Sequence, residues 1–506
     1  MGFIQKDALR TMILNYLGMA LGYLNKGVLF LIIFEPEQYG LINLLLGVGL
    51  LFAHLSNLGA MNAILRFLPF FKDQEDRRQG FLLLNVLFVF GGILLFSTLA
   101  IVLQSTVVNF YSRNSELFVD YYFWIIPIGI ANVLFLVFSS YLRALFKNVL
   151  AVFVYEFGLR LLTTILLFMA LWEWIDFNDF LISYTLIYFI PAFVLLIYLF
   201  TSNEIRFRKS TFRISRKFKK IIFSYSLFAY TNSIGMKVVI TLDSLMIAYY
   251  EGLSETGVYT TLLYFLSAMF IPYQALYRIS APLVPQYWKE KNMVELKDLY
   301  QKFSSISLIL ALFVGMLVWC NKDALFAFLP AEFQGGVWAF LFLLLGRAID
   351  TYAGLNGYIL ITSKKYRLDL IFTGGLILLV FFLNYLLIPI YGISGAAIAT
   401  GIGYLLYNLG RLIFVYLFYK LHPFESGQLK VFLLATAVIT IFEISPDFID
   451  NPFLSISFKS LIISLLFALP VYAFRWNPDL NDYIQNALSF LNQKLNKKRL
   501  KNEEDS

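Results

Sequence analysis

Fourteen apolar runs, most of them about 20 residues long, divide this chain, and they decide its class of fold before any motif is considered. A helix crosses about 30 Å of hydrocarbon in about 20 residues and satisfies its own backbone hydrogen bonds while doing so. The runs cover residues 11–34, 38–65, 80–103, 120–142, 149–171 and 180–200, and after a polar gap 221–249, 256–284, 303–319, 337–361, 368–388 and 393–417. Residues 430–442, the shortest run, and 454–474 complete the set. Only 14% of residues are charged and the mean hydropathy is +0.73, whereas a soluble domain carries about a quarter charged residues. The chain is predicted to be an all-α polytopic membrane protein.

Its orientation follows from the loops, since Lys and Arg accumulate on the cytoplasmic side. Alternate loops carry Lys72, Arg77 and Arg78, then Arg143 and Lys147, then Lys289, Lys291, Lys297 and Lys302, then Lys364, Lys365 and Arg367. The intervening loops are acidic, with Glu35 and Glu37, Glu173, Asp176 and Asp179, Glu251 and Glu255, and Glu443, Asp447 and Asp450. Both termini are therefore expected in the cytoplasm. The first run has no small-residue cleavage site and reads as a retained span. The net charge of +8 sits mostly in these loops, in the basic run 206–220 and in the C-terminal tail. Such placement fits anionic headgroups rather than nucleic acid. Within the tail, residues 479–500 have the spacing of an interfacial amphipathic helix.

Several chemistries are excluded. Cys320 is the single cysteine and His54 and His422 are the two histidines, so neither a disulfide nor a thiolate or histidine metal cage is expected. No phosphate-binding loop is present. The expectation is a chain with no cofactor and no metal that does not act as an enzyme.

Sliding the sequence against itself gives matches at a shift of 217: Gly40 falls on Gly257, Lys147 on Lys364 and Gly158 on Gly375, while Pro69 lies one residue from the register of Pro285. An even repeat of six helices inserts both halves in the same sense, giving a pseudo-twofold axis along the membrane normal. The expected organisation is a six-helix lobe over 1–200, a basic linker over 201–220 and a second six-helix lobe over 221–420. Two extra helices over 421–475 and a basic amphipathic tail over 476–506 follow.

An ionisable side chain at mid-bilayer costs several kcal/mol unless it meets water or a partner, and is a functional candidate by default. Lys26 lies about 15 residues, or about 22 Å, from the inner end of the first span. His54, Lys237, Asp243 and Arg278 fall on the second, seventh and eighth spans. Lys26, Lys237 and Arg278 have no partner within one turn, and with His54 they suit a polyanion that is held without being cleaved. Glu156 with Arg160, and Arg347 with Asp350, stand at spacings that allow pairing on one helix face and are secondary candidates. Arg66, Arg411 and Asp369 lie near inner ends and are expected to snorkel, as is Lys459 at the opposite side. Lys26 maps onto Asp243 at the shift of 217, which suggests a gating or ion-coupling pair that forms when the outside is closed.

Four segments carry a family resemblance: Glu35-Pro36-Glu37-Gln38-Tyr39-Gly40-Leu41, Leu242-Asp243-Ser244-Leu245-Met246-Ile247, Thr256-Gly257-Val258-Tyr259 and Pro389-Ile390-Tyr391-Gly392-Ile393-Ser394-Gly395-Ala396-Ala397. In them the chain resembles the multidrug/oligosaccharidyl-lipid/polysaccharide flippase superfamily, and within it the polysaccharide, or O-antigen, repeat-unit flippases. The resemblance covers residues 1 to about 419. It implies two lobes around a V-shaped cavity formed chiefly by spans 1, 2, 7 and 8, in the bacterial cytoplasmic membrane. It also implies that Lys26, Lys237 and Arg278 hold the diphosphate of a polyprenyl-diphosphate-linked glycan, with a polysaccharide polymerase or glycosyltransferases as partners. Two relatives stay open as alternatives. Lipid II flippases also have fourteen helices but arginine-rich first helices, and cation-coupled multidrug exporters have cavity carboxylates and usually twelve helices. A membrane-embedded glycosyltransferase would need a catalytic group in a large outer loop, and the outer loops here are short.

Overall fold

A computed structural model describes residues 3–71, 75–204, 215–445, 449, 451–482, 485 and 489. Among the described residues, eleven helices are long and apolar enough to cross a membrane. They include α1 (Arg10–Ile33), α2 (Pro36–Ser56), α3 (Glu75–Val102), α4 (Tyr122–Ala144), α5 (Val149–Leu171) and α6 (Phe177–Thr201). Next come α7 (Arg216–Tyr250) and α8, whose segments Leu253–Leu266 and Phe270–Ser280 are joined by a 3-10 turn. α9 (Met293–Trp319) and α10 (Ala331–Ala353) follow. The segment Arg367–Tyr419 is two helices, α11 and α12, separated at Gly392, where φ is 55° and ψ −137°. α13 (Ser426–Ile444) and α14 (Pro452–Ala473) end the array. The shortest apolar run thus becomes a helix of 19 residues. The expected all-α polytopic architecture is observed.

Local chemistry explains where these helices start. The Glu35-Pro36-Glu37-Gln38 segment is a helix-entry signal: Pro36 occupies the first turn of α2, and the Glu35 N–H donates to Gln38 Oε1 at 3.3 Å. Asp176 caps α6 by accepting from the Asp179 N–H at 2.7 Å, and Asn292 caps α9 through the Glu295 N–H at 3.2 Å. Among the described residues three spans contain a π-helical turn, Asn25–Leu29 in α1, Phe153–Gly158 in α5 and Ser464–Ala468 in α14. Each inserts an extra residue into the ladder.

The chain packs as two compact parts. The first comprises Met1–Phe265 with Thr373–Ala399, the second Leu266–Phe372 with Thr400–Ser506. In the first part α2 lies against α4, α3 and α7, and Phe30, Phe34, Tyr39, Phe180 and Tyr184 form an aromatic knot between α1, α2 and α6. In the second part Val284, Tyr300, Phe303, Leu355 and Ile359 form one core. Ile309, Met316, Val431, Ile463 and Phe467 join α9 to α13 and α14.

Two features of the first part lie at the end that carries the acidic loops. A Cβ placed on Gly40 would overlap the Leu253 carbonyl, and one on Gly257 would overlap the Pro36 carbonyl. Both residue pairs are related by the shift of 217, so α2 and α8 cross with local twofold symmetry. Nearby, the segment between α3 and α4 clasps the last turn of α7. Tyr111 donates to the Leu245 carbonyl at 3.0 Å and Ser115 to Ala248 at 2.7 Å, while Asn114 Nδ2 reaches the carbonyls of Tyr249 and Tyr250, each at 2.9 Å. A helix end leaves its final carbonyls without partners, and this clasp supplies them. Removing Asn114 and Ser115 side chains together (N114A/S115A) is expected to cost about 1 kcal/mol per lost bond. Faster deuterium uptake over residues 245–252 would register that loosening; unchanged uptake would contradict it.

The basic-run residues Arg206, Arg208, Lys209 and Arg213, the loop residue Lys72, the acidic Asp447 and Asp450 and most of the amphipathic tail lie outside the described residues.

Candidate functional site

The charges of the first part are held by its helix geometry. The π-turn Asn25–Leu29 carries Lys26, and a second π-turn in α5 carries Glu156. α1 packs on the α5 π-turn, and the α1 π-turn packs on the following helical stretch of α5. Asn25, 2% exposed, ties them together: its Nδ2 donates to the Arg160 carbonyl at 2.9 Å and its Oδ1 accepts from Thr164 at 2.8 Å. Lys26 Nζ donates to Asn43 Oδ1 at 3.2 Å and lies 5.6 Å from the Tyr264 ring centroid. Tyr39 donates to the Lys26 carbonyl at 3.4 Å.

Glu156 and Arg160 form the expected pair, with Nη2 to Oε2 at 2.8 Å. Gly18 and Gly22 make room for the arginine on the helix face that continues to Lys26. A Cβ on Gly18 would overlap the Glu156 backbone carbonyl and stand 2.8 Å from Arg160 Nη1, and one on Gly22 would stand 2.9 Å from the Tyr264 hydroxyl and 3.3 Å from Arg160 Nε. The structure therefore brings Lys26, Arg160, Asn43 and Tyr264 into one neighbourhood. The sequence marks Glu156 and Arg160 as a self-neutralising pair and only secondary candidates; the Gly18, Gly22, Lys26 spacing was the available signal for placing the arginine beside Lys26.

His54 and Lys237 lie on facing, antiparallel helices. The Gly47 position opposes Thr241, and Tyr230 on α7 donates to the Leu55 carbonyl on α2 at 2.6 Å. Lys237 falls between these contacts and is exposed; His54 is next to Leu55 and half-buried. Among the described residues neither makes a hydrogen bond or ion pair.

Asp243 is 3% exposed and accepts from two neutral donors, Oδ2 from the Tyr259 hydroxyl at 2.7 Å and Oδ1 from Asn384 Nδ2 at 2.8 Å. Lys26 and Asp243 thus sit on different partners in this conformation. Asn384 is 0% exposed and its Oδ1 accepts no hydrogen bond. A carboxylate beside an unused amide oxygen is a donor set suited to a hard cation. No cluster of three His, Cys, Asp or Glu side chains exists among the described residues.

The second part holds the remaining candidates. Arg278 on α8 is exposed and makes no ion pair among the described residues. Arg347 and Asp350 do not neutralise each other. Arg347 instead lies 4.7 Å from the Phe270 ring and 5.6 Å from that of Tyr404, while Asp350 accepts from Asn408 Nδ2 at 3.2 Å. Aromatic faces and an amide on neighbouring helices satisfy each group separately.

Arg411 and Asp369, expected to snorkel, do not reach water. They form a buried ion pair between α12 and α11, with side chains 11% and 4% exposed, and the guanidinium lies 3.9 Å from the Tyr407 ring centroid. The helix ends are covered by other chain, so the charges find each other rather than water. Asn356 Nδ2 donates to Asn408 Oδ1 at 3.2 Å and so joins the Asn408–Asp350 contact. Tyr404, Tyr407, Asn408 and Arg411 fall at i, i+3, i+4 and i+7, a polar stripe along α12 that the sequence already displayed. Arg66, by contrast, is exposed and lies 4.5 Å from the Tyr225 ring. Lys459 lines a cavity of about 200 Å³ between α13 and α14, among Phe442, Phe458, Ile462 and Leu466.

Comparison with known proteins bears on the fold. No family model matches the chain, and no curated protein matches it. Solved structures do. A lipid II flippase, MurJ, in an inward closed conformation superposes with a TM-score of 0.68 at 16% identity over 93% of this chain and 99% of that one. An inward-facing multidrug resistance MATE family transporter of the MOP superfamily gives 0.62 at 13% identity, covering 86% and 100%. A MOP superfamily transporter from Pyrococcus furiosus, described as having a binding pocket of reversed polarity, gives 0.53 at 15% identity, covering 88% and 98%. The chain has the fold of these membrane transporters and flippases.

Proposed function

We propose that this chain is a flippase that carries a polyprenyl-diphosphate-linked oligosaccharide from the inner to the outer leaflet of the bacterial cytoplasmic membrane by alternating access, for surface polysaccharide synthesis. The observation that carries this reading is the cationic neighbourhood of Lys26 and Arg160 within the span of α1 and α5, made from groups that hold an anion and contain no nucleophile with an adjacent base. Lys237 and His54 add two further donors without described partners on α7 and α2, and Arg278 is proposed for the same role from its position in the sequence. A diphosphate offers several oxygens to such donors, while its polyprenyl tail needs only the surrounding lipid. The likeness to a lipid II flippase supports a lipid-linked substrate.

The alternative of lipid II as cargo shares the diphosphate and differs in its glycan. Transport of defined undecaprenyl-diphosphate glycans and of lipid II by the reconstituted protein therefore separates the two. Lys237→Ala and Arg278→Ala are each expected to lower translocation at least tenfold while the protein stays folded. Undiminished transport in both variants would overturn the diphosphate-holding role.

A cation-coupled drive is the second reading, favoured by Asp243 and the unused Asn384 Oδ1. Asp243→Asn is then expected to abolish the dependence of transport on a cation gradient while leaving equilibrium binding of the diphosphate intact. A gradient dependence that survives the substitution would exclude Asp243 from coupling.

A further inference from the structure

Glu156 and Arg160 are joined by one contact, Nη2 to Oε2 at 2.8 Å. A guanidinium presents a planar fork that matches the paired oxygens of a phosphate, and a single carboxylate oxygen leaves most of that fork unused. Here Arg160 Nη1 is buried and donates to nothing in the protein. The pair is nonetheless accessible, since each side chain is about a third exposed (32% and 31%). Lys26 on the opposing helix spends its ammonium on a neutral amide, Asn43, and on the face of Tyr264. Two cations and one carboxylate thus share a neighbourhood that includes a tyrosine hydroxyl, and they leave one positive charge over.

Gly18 and Gly22 let α1 approach α5 closely beside this pair. A Cβ at residue 18 would overlap the Glu156 carbonyl and stand 2.8 Å from Arg160 Nη1, and one at residue 22 would stand 2.9 Å from the Tyr264 hydroxyl and 3.3 Å from Arg160 Nε. The guanidinium therefore lies in the seam between the two helices, where a surface ion pair would not.

We propose that Glu156 is a resident anion. It occupies Arg160 while the site is empty and yields the guanidinium to a phosphate group, which Lys26 then contacts from α1. The ligand class is a diphosphate monoester or diester, and this identity rests on the flippase reading above. The exchange is purely non-covalent: one anion replaces another on the same donors. Glu156 sets the affinity at a level from which the cargo can still leave, because every bound phosphate has to displace a carboxylate held by the same chain.

The experiment uses the full chain in detergent micelles, with inorganic diphosphate and farnesyl diphosphate as separate probes titrated by calorimetry. Glu156→Gln removes the competitor and keeps the shape, and is expected to tighten binding about fivefold. Arg160→Gln is expected to weaken it about tenfold, Arg160→Lys by less, and the double variant E156Q/R160Q should bind as poorly as Arg160→Gln alone. In the absence of ligand Glu156→Gln should melt at lower temperature than wild type, and diphosphate should restore the difference. Tightening with both probes assigns the site to the headgroup; tightening with farnesyl diphosphate alone assigns it to the lipid-linked form. If Arg160→Gln does not fold, Arg160→Lys carries the same comparison.

Unchanged or weaker binding by folded Glu156→Gln, or no binding by any variant, overturns the proposal. These outcomes stay distinct from the fate of the flippase reading. Tightened diphosphate binding without transport of any lipid-linked glycan would retain the site and reject the cargo. Glycan transport that needs Lys237 and Arg278, with binding indifferent to Glu156, would do the reverse.

Discussion

Gly40→Ala and Gly257→Ala are each expected to lower the melting temperature of the detergent-solubilised protein sharply, whereas Gly47→Ala should change it little. The three substitutions add the same methyl group to glycines near the same helix face. At residue 47 the new Cβ would stand 3.7 Å from Thr241 Cγ2, an ordinary contact. At residues 40 and 257 it would overlap a backbone carbonyl, that of Leu253 or of Pro36, and would also lie 3.0 or 3.2 Å from the other glycine's nitrogen. A side chain can rotate away from such a methyl, but two helix backbones can only part. Overpacking of this kind costs about 1–3 kcal/mol and sometimes more. Because the crossing is reciprocal, combining the two substitutions leaves neither overlap relieved, and the double variant should be worse than either single one. Equal melting of Gly40→Ala and Gly47→Ala would show that α2 and α8 do not cross this closely.

An effect of similar or larger size is expected at Asp369 and Arg411, with the opposite behaviour in the double variant. Taking away one member of a buried ion pair leaves a charge with no counterpart, at about 3–5 kcal/mol. Asp369→Asn strands the guanidinium, and Arg411→Met strands the carboxylate; both should unfold at markedly lower denaturant. Replacing both by apolar residues of similar volume (D369L/R411M) removes the stranded charge together with its desolvation cost, and should recover most of the loss. Because the side chains are 11% and 4% exposed, added salt should not reproduce the single-variant defect. Single variants as stable as wild type, or a double variant as weak as the worse single one, would mean that the pair is not buried as described.

The sequence and the structure agree best where the physics is local or collective. Span positions follow from the bilayer's demand for apolar length, so the runs from 11–34 to 454–474 fall largely on helix, although 38–65 breaks after Ser56 and 256–284 is interrupted by a 3-10 turn. The shift of 217 was legible from punctuation alone and reappears as the reciprocal contacts of Gly40 and Gly257. Partnership was the illegible part. Arg347 and Asp350 have the spacing of a helix-face pair, yet each found a better neighbour on another helix. Arg411 and Asp369 are far apart in sequence, and only the packing of α11 on α12 makes them a pair. Arg160 looked neutralised by Glu156 because a sequence shows charge balance and not which nitrogens remain unused. Lys26, His54 and Lys237 stand out as candidates because a charge within an apolar run is conspicuous whatever lies beside it. Asn25, Asn43, Tyr264 and Asn384, which position or accompany the charged candidates, are uncharged and passed without notice among many similar residues.

The π-turn at Asn25–Leu29 has a consequence for how α1 tolerates change in length. A π-turn is an α-helix with one residue too many, and the widened turn absorbs that residue locally. Deleting a single residue there would let the turn relax to ordinary α-helix without shortening the hydrocarbon-crossing stretch by more than about 1.5 Å. The stretches on either side would keep nearly the same phase, so Gly18 and Gly22 would stay turned toward α5. What the deletion would remove is the local widening from which Asn25 reaches the Arg160 carbonyl and Thr164. The extra residue acts as a slack turn that presents one polar side chain to α5 without re-aiming the rest of the helix. Deleting Val28 should therefore give a protein that inserts and folds, yet has a looser tie between α1 and α5.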